Sequence, residues 1–94
     1  MYLKIVFRQI SYINIKPKIQ LSDLPPDVTK DELRQIFAEF DPGNVVLPTV
    51  QRGQQTGIGF IQFFKEKDQQ NAIQAMRTFI LRGRTITVTD ASQA

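Results

Sequence analysis

The order of two spacing patterns constrains the fold of this chain more than any other feature. Between residues 18 and 89, apolar residues alternate with polar ones in three short segments, β-branched residues are concentrated in a fourth, and apolar residues recur at helical spacing in two others. The order is strand, helix, strand, strand, helix, strand, a pair of split β-α-β units. It predicts an α+β fold of the ferredoxin-like type, a four-stranded antiparallel sheet with two helices on one face. The other face stays open, and outward side chains of the first and third strands would form the working surface.

The first strand and helix are marked by a short alternating run and a helix-start signal. Ile19 and Leu21 alternate with polar neighbours, as in a half-buried strand. Thr29 and Glu32 then have the spacing of a capping box. A helical stripe follows, formed by Leu33, Ile36, Phe37 and Phe40. The turn signal at residues 41–43 predicts where this helix ends.

The remaining elements follow from the same reasoning. A strand is predicted over residues 45–50, and Pro48 within it indicates a sheet edge because proline cannot donate to a ladder. Further segments predict a strand over 57–64, a helix over 66–76 and a strand over 85–89. The inward positions predict a core made of Ile19, Leu21, Leu33, Phe37, Phe40, Ile61, Phe63, Ala72, Met76, Ile86 and Val88.

Composition excludes several classes of function. A chain of 94 residues has room for one small domain. Cysteine and histidine are absent, which removes the disulfides, the commonest metal ligands and the commonest general base. Apolar runs are far shorter than the roughly 18 residues that a membrane span needs. We therefore expect a protein without enzymatic activity, cofactor, metal or membrane partner.

The charges are unevenly distributed along the chain. Residues 1–20 contain four bases and no acid, residues 21–50 two bases and six acids, and residues 51–94 six bases and three acids. The net charge is +3. If the acidic segment packs on one side, the basic residues concentrate elsewhere and a polyanion becomes a plausible partner, although a merely solvated surface has the same pattern.

Four ordered segments within residues 18–91 resemble an RNA recognition motif domain. They are Ile19-Gln20-Leu21-Ser22-Asp23-Leu24 at the first-strand motif, Thr56-Gly57-Ile58-Gly59-Phe60-Ile61-Gln62-Phe63 at the third-strand motif, Ala72-Ile73-Gln74-Ala75-Met76, and Gly83-Arg84-Thr85-Ile86-Thr87-Val88. The resemblance implies weak binding of single-stranded RNA on the open face, within an RNA-processing assembly. It also implies an intracellular protein, nuclear or cytoplasmic, or in an organelle.

The motifs depart from the family pattern at three positions. Gln20 and Ile58 stand where the family usually has stacking aromatics, and Thr56 stands where it has a lysine or arginine. Phe60 keeps the family's residue type. The predicted RNA-binding residues are Phe60, Ile58, Gln20, Gln62, Arg52, Arg84 and Thr87. Arg52, Arg84 and also Arg82 lie in predicted turns and could replace the missing phosphate contact.

A protein-interaction domain of the same fold is the alternative. One subclass of such domains binds a tryptophan-bearing peptide through an Arg-x-Phe loop after the second helix, and this chain contains Arg77-Thr78-Phe79. Aligned on Gly83-Arg84, however, this tripeptide comes two residues too early. Phe60 could also be an ordinary aromatic covered by a terminal segment.

The predicted domain occupies residues 18–91, between an N-terminal extension over residues 1–17 and a tail over residues 92–94. The apolar residues of the extension fit either a helix or a strand. Its basic, acid-free character would also suit an organelle-targeting segment.

Overall fold

A computed structural model describes residues 17–50 and 53–92 of the chain. The elements in chain order are β1 (Lys18–Ser22), α1 (Lys30–Ile36), a 3-10 helix (Ala38–Phe40), β2 (Pro42–Val46), β3 (Gly59–Phe63), α2 (Glu66–Ala75), β4 (Thr78–Leu81) and β5 (Arg84–Asp90). The strands form one antiparallel sheet in the order β2-β3-β1-β5-β4. The α+β class is as predicted. The N-terminal extension up to residue 16 and residues 93–94 lie outside the described ranges.

The prediction of four strands is wrong, because the described sheet has five. The additional strand, β4, forms a hairpin with β5 through Arg82 and Gly83, whose φ angles are +50° and +80°. Positive φ at both central residues is what a two-residue hairpin turn needs. Phe79 pairs with Ile86 in this hairpin and packs against the core. The strand is only four residues long and includes a continuous apolar run, so no alternation revealed it.

The first helix begins as predicted and ends earlier. The backbone N–H of Glu32 donates to the Thr29 hydroxyl over 3.1 Å, which caps the first turn. The α-helix ends at Ile36, and the 3-10 helix carries the chain to Phe40. Asp41 then adopts a left-handed conformation with φ +55°. The predicted stop signal therefore ends the 3-10 helix and not α1 itself.

The second strand occupies the sheet edge, as Pro48 predicted, but at shifted bounds. Strand β2 runs from Pro42 to Val46, so Pro48 lies beyond it. The Pro48 carbonyl accepts a hydrogen bond from the Thr56 backbone N–H over 3.3 Å. The segment after β2 thus folds back towards the start of β3.

The core lies between the helices and one face of the sheet. Most of the predicted core residues are buried, while Phe40 and Met76 are partly buried at its border. Four buried apolar residues join those that the sequence predicted: Leu24, Val28, Val45 and Ala91. Since the inward residues of the strands are taken up by this core, their alternate residues are left on the open face.

Candidate nucleic-acid interface

A row of four side chains crosses the open face of the sheet. Phe60 on β3 pairs with Gln20 on β1 and with Val46 on β2. Gln20 in turn pairs with Thr89 on β5. Because directly opposed side chains of an antiparallel pair lie about 4.5–5.5 Å apart at Cβ, the four positions form one continuous strip. Phe60 is half-buried within it.

The alternation of β3 continues to Ile58, one residue before the strand begins. Ile58 is 37% exposed, and its backbone N–H donates to the Thr56 hydroxyl over 3.3 Å. Gly59, Ile61 and Phe63 face the core. The alternate residues 58, 60 and 62 therefore lie on the open face. The predicted site residues Ile58 and Phe60 are therefore neighbours on the open face.

Gln62 and Thr87 also lie on this face, in other rows. Gln62 pairs with Lys18 at one end of β1, and Thr87 pairs with Ser22 at the other end. Thr87 pairs in addition with Thr78 on β4. The structure thus brings Phe60, Ile58, Gln20, Gln62 and Thr87 onto one surface with hydroxyl and amide groups around an aromatic ring.

The predicted arginines do not join this cluster. Arg52 lies outside the described residues. Arg84 pairs with Leu81 at the hairpin end of β5. It alternates in step with Ile86 and Val88, which face the core, so it lies on the helix side of the sheet and not on the open face. Arg84 is therefore positioned at the rim of the sheet and away from Phe60.

Arg82 is engaged in ion pairs on the side of the first helix. Its Nη2 lies 2.8 Å from Glu32 Oε1, and its Nε lies 3.6 Å from Asp27 Oδ2. The hydrogen bond to Glu32, together with the charges of both carboxylates, raises the pKa of the Arg82 guanidinium above its usual value. These partners neutralise the charge locally, so the hypothesis that Arg82 binds phosphate is not supported by its surroundings.

The tripeptide considered for peptide binding is part of the folded hairpin. Phe79 lies in β4 and its ring packs edge to face on Phe37, with centroids 5.8 Å apart and planes at 79°. Phe79 thus lies at the border of the core and not in an exposed loop. This placement disfavours the Arg-x-Phe hypothesis.

The part of the chain that the structure describes contains neither a cluster of metal-ligating side chains nor a helix suited to crossing a membrane. Among residues 17–50 and 53–92, no three acidic, histidine or cysteine side chains converge as metal ligands would. None of the helices in those ranges has the length and apolar character needed to cross a membrane.

Sequence reasoning missed residues at the margins of the open face. Val46 and Lys18 belong to its rows through their pairing with Phe60 and Gln62. Phe64, directly after β3, is 74% exposed. Lys18 and Phe64 could have been found by extending the alternation of β1 and β3 to their ends. Val46 could not, because the register of β2 includes a shift between Pro42 and Val45.

Comparison with known proteins identifies relatives for most of the chain. The model of one family, the RNA recognition motif, matches residues 19–87. The chain is 33% identical over 85 residues to small ribosomal subunit protein cS22 of Arabidopsis thaliana, covering 86% of this chain and 33% of that protein. It is 32% identical over 75 residues to the Sex-lethal homolog of Musca domestica, covering 76% and 22% respectively. The chain thus spans about a third or less of these relatives' length.

A solved structure also superimposes closely. The second RRM domain of the yeast poly(U)-binding protein Pub1 matches with a TM-score of 0.74 and 28% identity, covering 83% of this chain and 96% of that one. The arrangement of the sheet and helices is therefore shared with this domain over nearly its whole length.

Proposed function

Because the chain belongs to the RNA recognition motif family, we propose that residues 18–91 form a module that binds single-stranded RNA on its open sheet face. The observation that carries this proposal is the position of Phe60 in the strip formed with Val46, Gln20 and Thr89. An aromatic ring on an open sheet offers a flat apolar surface on which an unpaired base can stack. The proposed activity is binding, without catalysis.

The neighbouring side chains complement a stacked nucleotide. The amides of Gln20 and Gln62 can donate to and accept from base edges, and the Thr87 hydroxyl can do the same. Ile58 can contact a ribose through its apolar side chain. The open face has one stacking ring, Phe60, where the family usually has several aromatic residues. We therefore expect a weak affinity for RNA. Arg84, at the rim of the sheet, stays a prediction for a phosphate contact. Arg52 stays one as well, and it lies outside the described residues.

The relatives suggest a setting for this activity. They include a ribosomal protein and Sex-lethal homologs. We propose that the chain acts inside the cell as part of an RNA-processing assembly. In such an assembly, neighbouring domains add to the weak RNA affinity that a single stacking ring provides. The chain's small share of its relatives' length is compatible with such an arrangement.

The decisive experiment is a titration of wild type and Phe60→Ala with a short unstructured oligoribonucleotide. Loss of one base stack, worth about 1–3 kcal/mol, should weaken binding about fivefold to more than a hundredfold. Arg34→Ala serves as the control, because Arg34 is exposed on α1, away from the open face. Thermal unfolding of each variant verifies the fold. Equal affinity of wild type and a folded Phe60→Ala variant would contradict the proposal.

The protein-interaction alternative is less well supported. Phe79 is held at the core by Phe37, and the family relatives favour RNA. If Phe60→Ala left the RNA affinity unchanged while the fold stayed intact, a protein partner would become the better explanation for the open face.

A further inference from the structure

Phe64 is an exposed aromatic residue directly after β3. It is not one of the residues assigned above to the proposed RNA surface. Its side chain follows buried Phe63 and is 74% exposed. A single exposed phenylalanine needs no explanation by itself, since much of any protein surface is apolar. Here, however, the ring borders a cleft that it shares with residues of the neighbouring edge strand.

Gly43 on β2 lies beside the Phe64 ring. A Cβ added at residue 43 would come within 3.0 Å of the Gln62 carbonyl oxygen, which is tighter than is usual for a Cβ, and within 3.4 Å of Phe64 Cζ, which is an ordinary contact distance. The glycine therefore lets β2 approach the β3 backbone closely. The Phe64 ring lies next to this close approach, and most of its surface faces solvent.

A cleft beside the ring has polar groups at its border. It is lined by Gly43, Asn44, Gln62, Phe63 and Phe64. Asn44 and Gln62 carry amides, which can hydrogen-bond the edge of a base. Gln62 also belongs to the open face, so the cleft is continuous with the surface that contains Phe60.

A lysine lies one strand away from this cleft. Lys18 pairs with Gln62 across β1 and β3. Within residues 17–50 and 53–92, Lys18 forms no ion pair. Lys18 therefore offers a positive charge to a phosphate-bearing ligand that also contacts Gln62.

We propose that Phe64, Asn44 and Gln62 form a second base-binding subsite, which holds an unpaired base of the RNA strand that stacks on Phe60. This inference rests on the proposed function. Phe64 follows Phe60 by four residues, so the two positions are about 13 Å apart at roughly 3.3 Å per extended residue. Stacked rings lie within about 7 Å of each other, so the two rings hold different bases.

An RNA base suits this subsite better than a protein side chain. Apolar docking sites for proteins are contiguous patches, commonly several hundred Å² in area. Phe64 is instead a lone ring bordered by amides, with a lysine nearby. That combination of a flat face, edge-binding groups and a cation is typical of nucleotide recognition.

The test is a titration of Phe64→Ala, Phe64→Leu and Phe64→Tyr with the oligoribonucleotide used for Phe60→Ala, long enough to reach both rings. Removal of the stacking ring should weaken binding about fivefold to more than a hundredfold in both Phe64→Ala and Phe64→Leu. Phe64→Tyr should retain wild-type affinity because it keeps the ring. Phe64 is exposed, so these variants should unfold at the wild-type temperature.

A matched control uses Ile80, which is 67% exposed at the opposite edge of the sheet. Ile80→Ala should leave the affinity unchanged, and an equal loss in Ile80→Ala and Phe64→Ala would overturn the subsite. If Phe60→Ala weakens binding and Phe64→Ala does not, the subsite fails while the proposed function stands. If the wild-type protein binds no RNA, both fail. Contacts between Phe64 ring protons and base protons in NMR spectra would support the subsite directly.

Discussion

Gln69 on α2 donates a 3.0 Å hydrogen bond to the carboxylate of Asp90, the last residue of β5. Its side-chain nitrogen also lies 2.9 Å from the Lys18 carbonyl oxygen and 2.7 Å from the Ser92 hydroxyl. Gln69 is only 1% exposed. A buried amide of this kind needs partners, and here the partners belong to the beginning of β1 and the end of β5. This one side chain therefore connects the second helix to the start of β1 and to the end of β5.

The first prediction is that Gln69→Leu destabilises the domain although it keeps a side chain of similar size. Loss of the amide removes one hydrogen bond from the Lys18 carbonyl, which keeps that of the Ala91 N–H, and one from the exposed Asp90 carboxylate, so the expected cost is about 1 kcal/mol in unfolding free energy. Chemical denaturation measures the difference. Gln74→Leu on the exposed side of the same helix is the control and should change stability by less than about 0.5 kcal/mol. Equal stability of the two variants would contradict a structural role for Gln69.

The second prediction concerns the pH dependence of stability. The backbone N–H of Ser92 donates to the Asp90 carboxylate over 2.9 Å, and this bond, with those from the Ser92, Gln69 and Gln70 side chains, lowers the pKa of Asp90. A carboxyl with a depressed folded pKa stabilises the fold fully above its unfolded pKa and ceases to do so as the pH falls through the folded value.

Asp90→Asn should therefore be less stable than wild type at pH 7, with the difference shrinking below pH 3.8, the ordinary value for the group. Because Asp90 is exposed, solvent screening limits the difference to about 1 kcal/mol or less. Thermal unfolding across pH 2 to 7 measures it. A difference that stays constant over this range would exclude titration of Asp90 as its source.

The third prediction concerns a cluster of three aromatic rings under the sheet. Phe37 is fully buried and contacts the rings of both Phe40 and Phe79. Phe37→Ala should lower the free energy of unfolding by about 3–5 kcal/mol, through lost burial and the cavity left behind. Denaturant unfolding provides the measurement. A loss within half a kcal/mol would mean that the ring is not in the core.

The sequence was sufficient to predict those parts of the fold that depend on local periodicity. The stripe around Leu33 and Phe37 and the alternation of Ile19 and Leu21 identified the faces that the structure buries. Gln69 was overlooked although it stands three residues before Ala72, in a position where the helical stripe would predict an apolar residue. A polar residue on a stripe is a signal for a buried hydrogen-bond network.

Other features depend on contacts between distant residues, which periodicity cannot reveal. The partner of Arg82 is Glu32, 50 residues away in sequence, so its ion pair could not be predicted from local pattern. The cleft beside Phe64 likewise depends on Gly43 and Asn44 lying on the neighbouring strand. The positions of Phe60 and Gln20 on the open face could be predicted, because both residues lie in motifs with strand alternation. That the two residues pair directly across β1 and β3 is known only from the structure.

The fourth prediction separates two roles of Arg82, the turn and the ion pairs. Its φ of +50° is unusual for arginine, whereas asparagine is common at this position of a two-residue turn. Arg82→Asn relieves the backbone and loses the contacts with Glu32 and Asp27, while Arg82→Ala loses the contacts without relief. We expect Arg82→Asn to melt above Arg82→Ala. The deficit of Arg82→Ala against wild type should shrink in high salt, since salt screens exposed charges. Identical melting temperatures of the two variants would rule out backbone strain at this turn.

The last prediction uses the register between Gln20 and Phe60 to restore a platform that this chain lacks. Because the two residues are directly paired on neighbouring strands, the ring of Gln20→Tyr would stand beside Phe60 on the open face. A second stacked base adds about 1–3 kcal/mol, so the affinity for a short single-stranded oligoribonucleotide should rise about fivefold or more. Gln20→Leu adds apolar surface without a ring and should not tighten binding. An open face devoted to a protein partner would give the same RNA affinity in all three proteins, which is the outcome that would sink the RNA-binding proposal.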